Sequence, residues 1–265
     1  MNESEVRAEN VDSKLMEASG GGAWVDRKTS QGRSVRMKFS VIIPALNEEK
    51  YIGKAIAALK KQKVNGDFEI IVADNNSEDN TIAAAKKAGA DRVVIEKRRG
   101  TNMARQKGVE ASQGEILAFL DADSIPPRDW LASIEKVLKR KNVVAVSGPY
   151  RLNKPLADFI TWRVYPLVPK LMRFFTTMKG GVILGGNFAA YRSAIDKIGG
   201  LPPVKFFGDD TAIAVLLARK AGKVVYTRKV WIQSSPRRLE REGTVKIGFA
   251  YIKYFFRVYF DKKYK

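Results

Sequence analysis

Five aspartates stand in three short clusters, each beside a segment built to be buried. Asp74 follows Ile70-Ile71-Val72-Ala73. Asp121 and Asp123 follow Ile116-Leu117-Ala118-Phe119-Leu120, with Ala122 between them. Asp209 and Asp210 lie between Gly208 and an apolar helical pattern. Carboxylates grouped this way need a reason in a chain with 48 Lys+Arg against 28 Asp+Glu. A divalent cation is the simplest, because hard oxygen ligands suit Mg²⁺ or Mn²⁺ and the ion can bridge to phosphate. Asp121 and Asp123 are two apart, so a turn between them would aim both into one cleft. The 265 residues contain no cysteine and no histidine. That excludes a disulfide scaffold, thiolate or imidazole metal sites, a cysteine nucleophile and a histidine base. Carboxylates, lysine, arginine and hydroxyls remain for chemistry.

These clusters must be positioned by a scaffold, and the hydrophobic pattern describes one. Short apolar runs predict buried strands at residues 40–44, 69–73, 92–95, 115–120 and 142–147. Further strands are expected at 187–191 and 223–227. Between them lie helical patterns. Asn47 can cap the first, with Ile52, Ile56 and Leu59 as its apolar stripe. The second runs from Ser77 or Asp79 to Ala88, the third over 101–112, and the fourth opens at Pro127 with Trp130, Leu131, Ile134, Val137 and Leu138 inward. A short helix to Ile198 and one over 209–221 follow. Strands alternating with helices predict an α/β fold, a Rossmann-type three-layer sandwich with a mainly parallel central sheet. Right-handed crossovers put the C-terminal strand ends on one edge, where all three acidic clusters would converge.

The net charge of +20 attracts polyanions: nucleic acid, an acidic membrane surface or a phosphorylated substrate. Residues 1–36 hold 6 basic and 6 acidic residues and contribute nothing to it. They carry few large apolar residues and read as a disordered or weakly ordered extension, an upstream start before Met37 or a tag. Residues 219–265 hold 14 basic and 3 acidic residues, an excess of +11. Within them, 245–260 interleave aromatic and aliphatic residues with Lys246, Lys253 and Arg257. That pattern fits a helix packed on the domain or one lying in a membrane interface. Residues 155–184 are likewise aromatic and basic. The two segments favour an anionic membrane surface, so a cytoplasmic protein peripheral to the membrane is expected. No window reaches transmembrane length.

Six segments, in order over residues 38–240, resemble family 2 glycosyltransferases. They are Val41-Ile42-Ile43-Pro44-Ala45-Leu46-Asn47-Glu48; Asp74-Asn75-Asn76-Ser77 with Asp79 and Thr81; Met103-Ala104-Arg105-Gln106-Lys107-Gly108; Phe119-Leu120-Asp121-Ala122-Asp123; Gly186-Asn187-Phe188-Ala189-Ala190-Tyr191-Arg192; and Gly208-Asp209-Asp210-Thr211. The resemblance implies a GT-A domain over 37–240, with a nucleotide-binding half at 37–148 and an acceptor half at 149–240. It implies inverting transfer of a sugar from a nucleotide-diphosphate donor to a hydroxyl acceptor, lipid-linked or a glycan, with a divalent cation as cofactor. By resemblance, Pro44, Ala45, Asn47, Glu48 and Asn76 line the nucleotide site, Asp74 bonds the base, and Arg105 approaches the nucleotide. Asp121 and Ala122 meet ribose or sugar, and Asp123 binds the metal. Asp210 is the base, and Asp209 stands where the family usually has glutamate. Arg237 and Arg238 could add cations to the diphosphate.

Rival functions fit less well. Processive members of the family carry Gln-x-x-Arg-Trp near residue 233, a motif this chain lacks. A nucleotidyltransferase or dehydrogenase would need a glycine-rich loop after the first strand, where Pro44-Ala45-Leu46-Asn47 stands. A nucleic-acid-binding protein is permitted by charge, but no such motif occurs and strand-end carboxylates would repel phosphates, so no nucleic acid is expected.

Overall fold

The computed structural model describes residues 38–167, 182–203, 209–243 and 257. The expectations for 1–36, for 168–181 of the segment 155–184, for the tail at 245–260 apart from Arg257, and for Gly208 lie outside the described residues. From Lys38 the chain runs β1 (Phe39–Ala45), α1 (Glu49–Leu59), β2 (Phe68–Asp74), α2 (Thr81–Ala88), β3 (Arg92–Ile95), α3 (Thr101–Ala111) and β4 (Ile116–Leu120). It continues through β5 (Ser124–Ile125), α4 (Trp130–Leu138), β6 (Val143–Ser147), β7 (Tyr150–Arg151) and α5 (Pro155–Phe159). A π turn (Ile160–Val164) and a 3₁₀ turn (Tyr165–Leu167) extend α5. Then come β8 (Asn187–Tyr191), α6 (Arg192–Lys197), α7 (Asp209–Lys220), β9 (Lys223–Tyr226), β10 (Ile232–Ser234) and α8 (Arg237–Glu242).

Seven strands form one sheet in the order β3-β2-β1-β4-β8-β6-β9. The expected parallel pairing holds for β1 with β2 and β4, β2 with β3, and β6 with β9. β8 runs antiparallel between β4 and β6. A strand buried on both faces is apolar whichever way it points, so its direction leaves no mark in the pattern. Pro44 was expected to end β1, yet lies inside it, paired with Ala73. β4 pairs only with Phe39–Ile42, so beyond Ile42 that edge of β1 has no ladder for a proline to break. A second sheet, β5-β10-β7, was not foreseen, because its strands of two or three residues are too short for periodicity to register.

The strand pleat sends alternate residues to two cores. Phe39, Val41 and Ile43 of β1 pack with Ile52, Ile56 and Leu59 of α1 and with Trp130, Leu131 and Ile134 of α4. Ile42 faces the other way, with Leu117 and Phe119 of β4, Phe188 of β8, and Ile213 and Leu217 of α7. Phe119 and Phe188 stack with centroids 4.3 Å apart. Each such buried side chain contributes about 1.5–3 kcal/mol, which holds the strand ends rigidly in register.

Candidate active site

A cavity of about 480 Å³ lies where the strand order reverses, at the C-terminal ends of β1 and β4. Pro44, Ala45, Leu46 and Glu48 line it from the β1 side; Asp121, Ala122 and Asp123 line it beyond β4; Asp209 and Asp210 line it from the start of α7. Of the three acidic clusters, two therefore meet in one cavity. Asp74 stands at the same sheet edge but does not line it. Asp74 is 1% exposed and accepts hydrogen bonds from the Ser77 N–H (2.9 Å) and hydroxyl (2.6 Å). Asn76, in the left-handed region at φ 62°, belongs to that turn and is also off the lining. Asn75 takes the place at the cavity. Its Nδ2 donates to the carbonyls of Glu96 (2.9 Å) and Arg98 (2.8 Å), and its Oδ1 accepts from the Gly100 N–H (2.8 Å). Gly100 has φ 145°, which suits glycine, and it leads straight into α3.

Asn47 does not cap α1. It sits at φ 56°, its N–H donates to Ser77 Oγ (2.9 Å) and its Oδ1 accepts from the Glu78 N–H (2.8 Å). The free N–H groups at the start of α1 are met from the next loop: Glu48 donates to Thr81 Oγ1 (2.8 Å) and Glu49 to Asp79 Oδ2 (3.1 Å). Glu48 occupies the cap position without a side-chain cap bond, leaving its carboxylate for the cavity.

Arg105, on α3, is the buried cation of the site. It donates from Nη1 to Asp209 Oδ2 (3.0 Å) and Asn102 Oδ1 (3.1 Å), and from Nη2 to Asp121 Oδ1 (3.3 Å). Burial pulls its pKa down, and the charges of Asp209 and Asp121 outweigh that and hold it raised. Asp209 is thus tied to Arg105. Asp121 rests against Gly186, where a Cβ would lie 1.8 Å from Asp121 Oδ2, so only glycine admits this carboxylate. Enclosure raises the Asp121 carboxyl, with Arg105 opposing. Asp210 is 4% exposed, and burial pushes its pKa up to about 7, with the charge of Asp209 adding to the rise. The Thr211 N–H, 2.8 Å from Asp210 Oδ1, and Arg105 pull the other way.

Arg237, at the start of α8, forms the second ionic centre. Its Nη2 donates to Asp123 Oδ2 (2.7 Å) and to Glu48 Oε2 (2.9 Å) and Oε1 (3.0 Å), and its guanidinium lies 3.9 Å from the centroid of the Tyr51 ring. Ser234 Oγ stands 3.5 Å from Asp123 Oδ1. The side chain of Arg238 lies outside the described residues. Leu46, Asn75, Thr101, Ala104, Tyr150, Gly185, Gly186 and Arg241 also line the cavity, and none was expected as a site residue. The one available signal was position: Asn75 directly follows a buried strand, and Gly185 precedes the Gly186-Asn187 segment. Asn187 itself is structural, accepting from Trp130 Nε1 (3.0 Å) and donating to the carbonyls of Val230 (2.9 Å) and Gly148 (3.0 Å).

The donor set can be tested for a divalent ion. Among the described residues no three acidic side chains converge as a closed cage. Asp123 and its neighbour Asp121 suit an ion that completes its shell with phosphate oxygens and water, as Mg²⁺ commonly does. Two buried guanidinium nitrogens without acceptors, Arg105 Nε and Arg237 Nε, belong to residues lining the same cavity and fit an anionic ligand.

Comparison with known proteins agrees with this geometry. The model of the family described as Glycosyl transferase family 2 matches residues 40–199. An uncharacterized glycosyltransferase of Bacillus subtilis, YfnE, is 34% identical over 116 residues, 42% of this chain and 30% of the relative. The glycosyltransferase AglE of Haloferax volcanii is 28% identical over 177 residues, 64% of this chain and 58% of the relative. The chain thus spans less than two thirds of either. Among solved structures, the mannosyltransferase PcManGT of Pyrobaculum calidifontis, in complex with GDP-Man and Mn²⁺, superposes with a TM-score of 0.69 at 22% identity, covering 97% of this chain and 72% of that one. Glucosyl-3-phosphoglycerate synthase of Mycobacterium tuberculosis, in complex with phosphoglyceric acid, gives 0.60 at 25% identity, covering 84% and 80%. The chain belongs to glycosyl transferase family 2, a family of sugar-transferring enzymes, and has the GT-A fold.

Proposed function

We propose that this protein moves a sugar from a nucleotide-diphosphate donor to an acceptor hydroxyl, with inversion at the anomeric carbon and without processive polymerisation. The observation that carries the reading is Asp210: a buried carboxylate pushed up to about 7, in the cavity that also holds Asp121, Asp123 and three arginines. A base of that strength can take the acceptor's proton near neutral pH. The hydroxyl oxygen attacks the anomeric carbon, the bond from that carbon to the diphosphate breaks, and the nucleoside diphosphate leaves. Mg²⁺ or Mn²⁺, held by Asp123 with Asp121 beside it, would neutralise charge on the leaving diphosphate. Arg105 fixes Asp121 and Asp209 so that neither drifts into the acceptor's place. Pro44, Ala45 and Asn75 form the wall for the nucleotide, with Asn47, Asp74 and Asn76 shaping the loop behind it.

The acceptor is proposed to be lipid-linked and the protein peripheral to an anionic membrane. Leu156, Phe159, Val164 and Leu167 are 57%, 58%, 40% and 56% exposed along one short segment, which leads away from the cavity-lining Tyr150. The charge of +20 supplies the attraction. No helix among the described residues is long and apolar enough to cross a membrane.

Mass spectrometry of products from a panel of nucleotide sugars, with membrane lipid extract as acceptor, tests the activity. NMR of the product linkage tests inversion. A retained anomeric configuration would remove the single-displacement mechanism. Asp123→Ala is expected to weaken Mn²⁺-dependent UDP or GDP binding at least tenfold by calorimetry; unchanged binding would take the ion away from Asp123. Absence of binding to anionic liposomes at physiological salt would contradict the membrane reading.

A further inference from the structure

Arg237 stands where a metal-binding carboxylate should be open. One nitrogen, Nη2, reaches Asp123 Oδ2 at 2.7 Å and both carboxylate oxygens of Glu48 at 2.9 and 3.0 Å. Arg237 and these two partners come from three distant parts of the chain: the start of α8, the turn between β4 and β5, and the start of α1. The Tyr51 ring supports the guanidinium at 3.9 Å. Nε is buried and has no acceptor. The side chain is nevertheless 38% exposed, unlike that of Arg105 at 4%. The group is thus held by charge and one ring face, and it carries a donor still to be used.

A Mg²⁺ ion bound to Asp123 would sit about 2.0–2.1 Å from a carboxylate oxygen. Guanidinium and ion would then share one small carboxylate and repel across a few ångströms of protein. Resting on the nucleotide-sugar reading above, we propose that Arg237 is the resident counter-ion of the metal site and exchanges with the divalent cation. When ion and diphosphate arrive together, the guanidinium leaves Asp123, stays over Tyr51, and turns its N–H groups to the diphosphate. The ion alone takes Asp123 from Arg237 and leaves it only Glu48; with diphosphate present, the arginine gains a second anion in exchange. Metal and nucleotide therefore bind cooperatively, and the coupling is reciprocal.

The test counts free Mn²⁺ by electron paramagnetic resonance, titrating the full chain with and without UDP or GDP. Wild type is expected to bind Mn²⁺ weakly alone and at least tenfold more tightly with nucleotide. Arg237→Gln should bind Mn²⁺ alone about tenfold more tightly than wild type and lose most of the coupling. Arg237→Lys, which keeps the charge, should stay near wild type. Should Arg237→Gln fail to fold, Tyr51→Leu removes the supporting ring and should raise Mn²⁺ affinity about threefold. Unchanged or weaker Mn²⁺ binding in Arg237→Gln, or in Tyr51→Leu if that variant is used, overturns the exchange. Wild type that binds neither nucleotide with Mn²⁺ would instead sink the functional reading itself, so the two failures are distinct.

Discussion

Arg105 and Arg237 both line the cavity and both bridge two carboxylates, yet they belong to different kinds of structure. Arg105 projects from the long helix α3 against the central sheet, is 4% exposed, and is boxed by Asn102, Asp121, Asp209 and the glycine at 185. Arg237 starts the six-residue helix α8, next to the small sheet, with its side chain 38% exposed. The difference separates frame from exchangeable surface. The guanidinium of Arg105 is enclosed and has no water to move into, so it stays with Asp121 and Asp209, which are themselves 37% and 22% exposed. A guanidinium open to water can trade partners at small cost.

Substitution should separate the two arginines. Arg105→Ala leaves Asp121 and Asp209 without their cation, and should destabilise the protein by about 3–5 kcal/mol. Thermal melting should drop by roughly 10 °C, and Arg105→Lys should recover little, since one ammonium cannot match a planar fork. Gly186→Ala attacks the same frame from the other side, driving a methyl into Asp121; about 1–3 kcal/mol of destabilisation is expected by chemical denaturation. Arg237→Gln should sit at the small end, within about 1 kcal/mol of wild type. A loss as large as that of Arg105→Ala would mean that Arg237 is frame as well.

The sequence made the frame legible because the frame is apolar. Runs such as Ile70–Ala73 and Ile116–Leu120 mark buried strands, and the polar residue after each marks the sheet edge. That logic brought the three acidic clusters to one edge, and Asp121, Asp123, Asp209 and Asp210 do share a cavity while Asp74 does not; Arg105 was placed there by the family resemblance alone. It could not say which polar side chain at an edge turns inward. Asp74 and Asn75 are adjacent; Asp74 closes a turn with Ser77 while Asn75 faces the cavity, and the choice depends on Gly100 offering its N–H from 25 residues away. Nor could it pair Arg237 with Glu48 across 189 residues, a contact made only once β10 joins β5. The direction of β8 was hidden for a related reason: double-sided burial erases orientation.

Asp210 is proposed as the base. Its proton leaves near pH 7, and only the deprotonated form can accept from a hydroxyl, so transfer should rise with pH and level off above about 7. The most direct measurement is single-turnover sugar transfer by Asp210→Asn, with donor and Mn²⁺ saturating, beside calorimetric nucleotide binding by the same variant. The account predicts a loss of transfer of about 10²–10⁴-fold, no remaining rise with pH, and nucleotide affinity within about twofold of wild type. Transfer at a near-normal rate with the pH rise intact would contradict it.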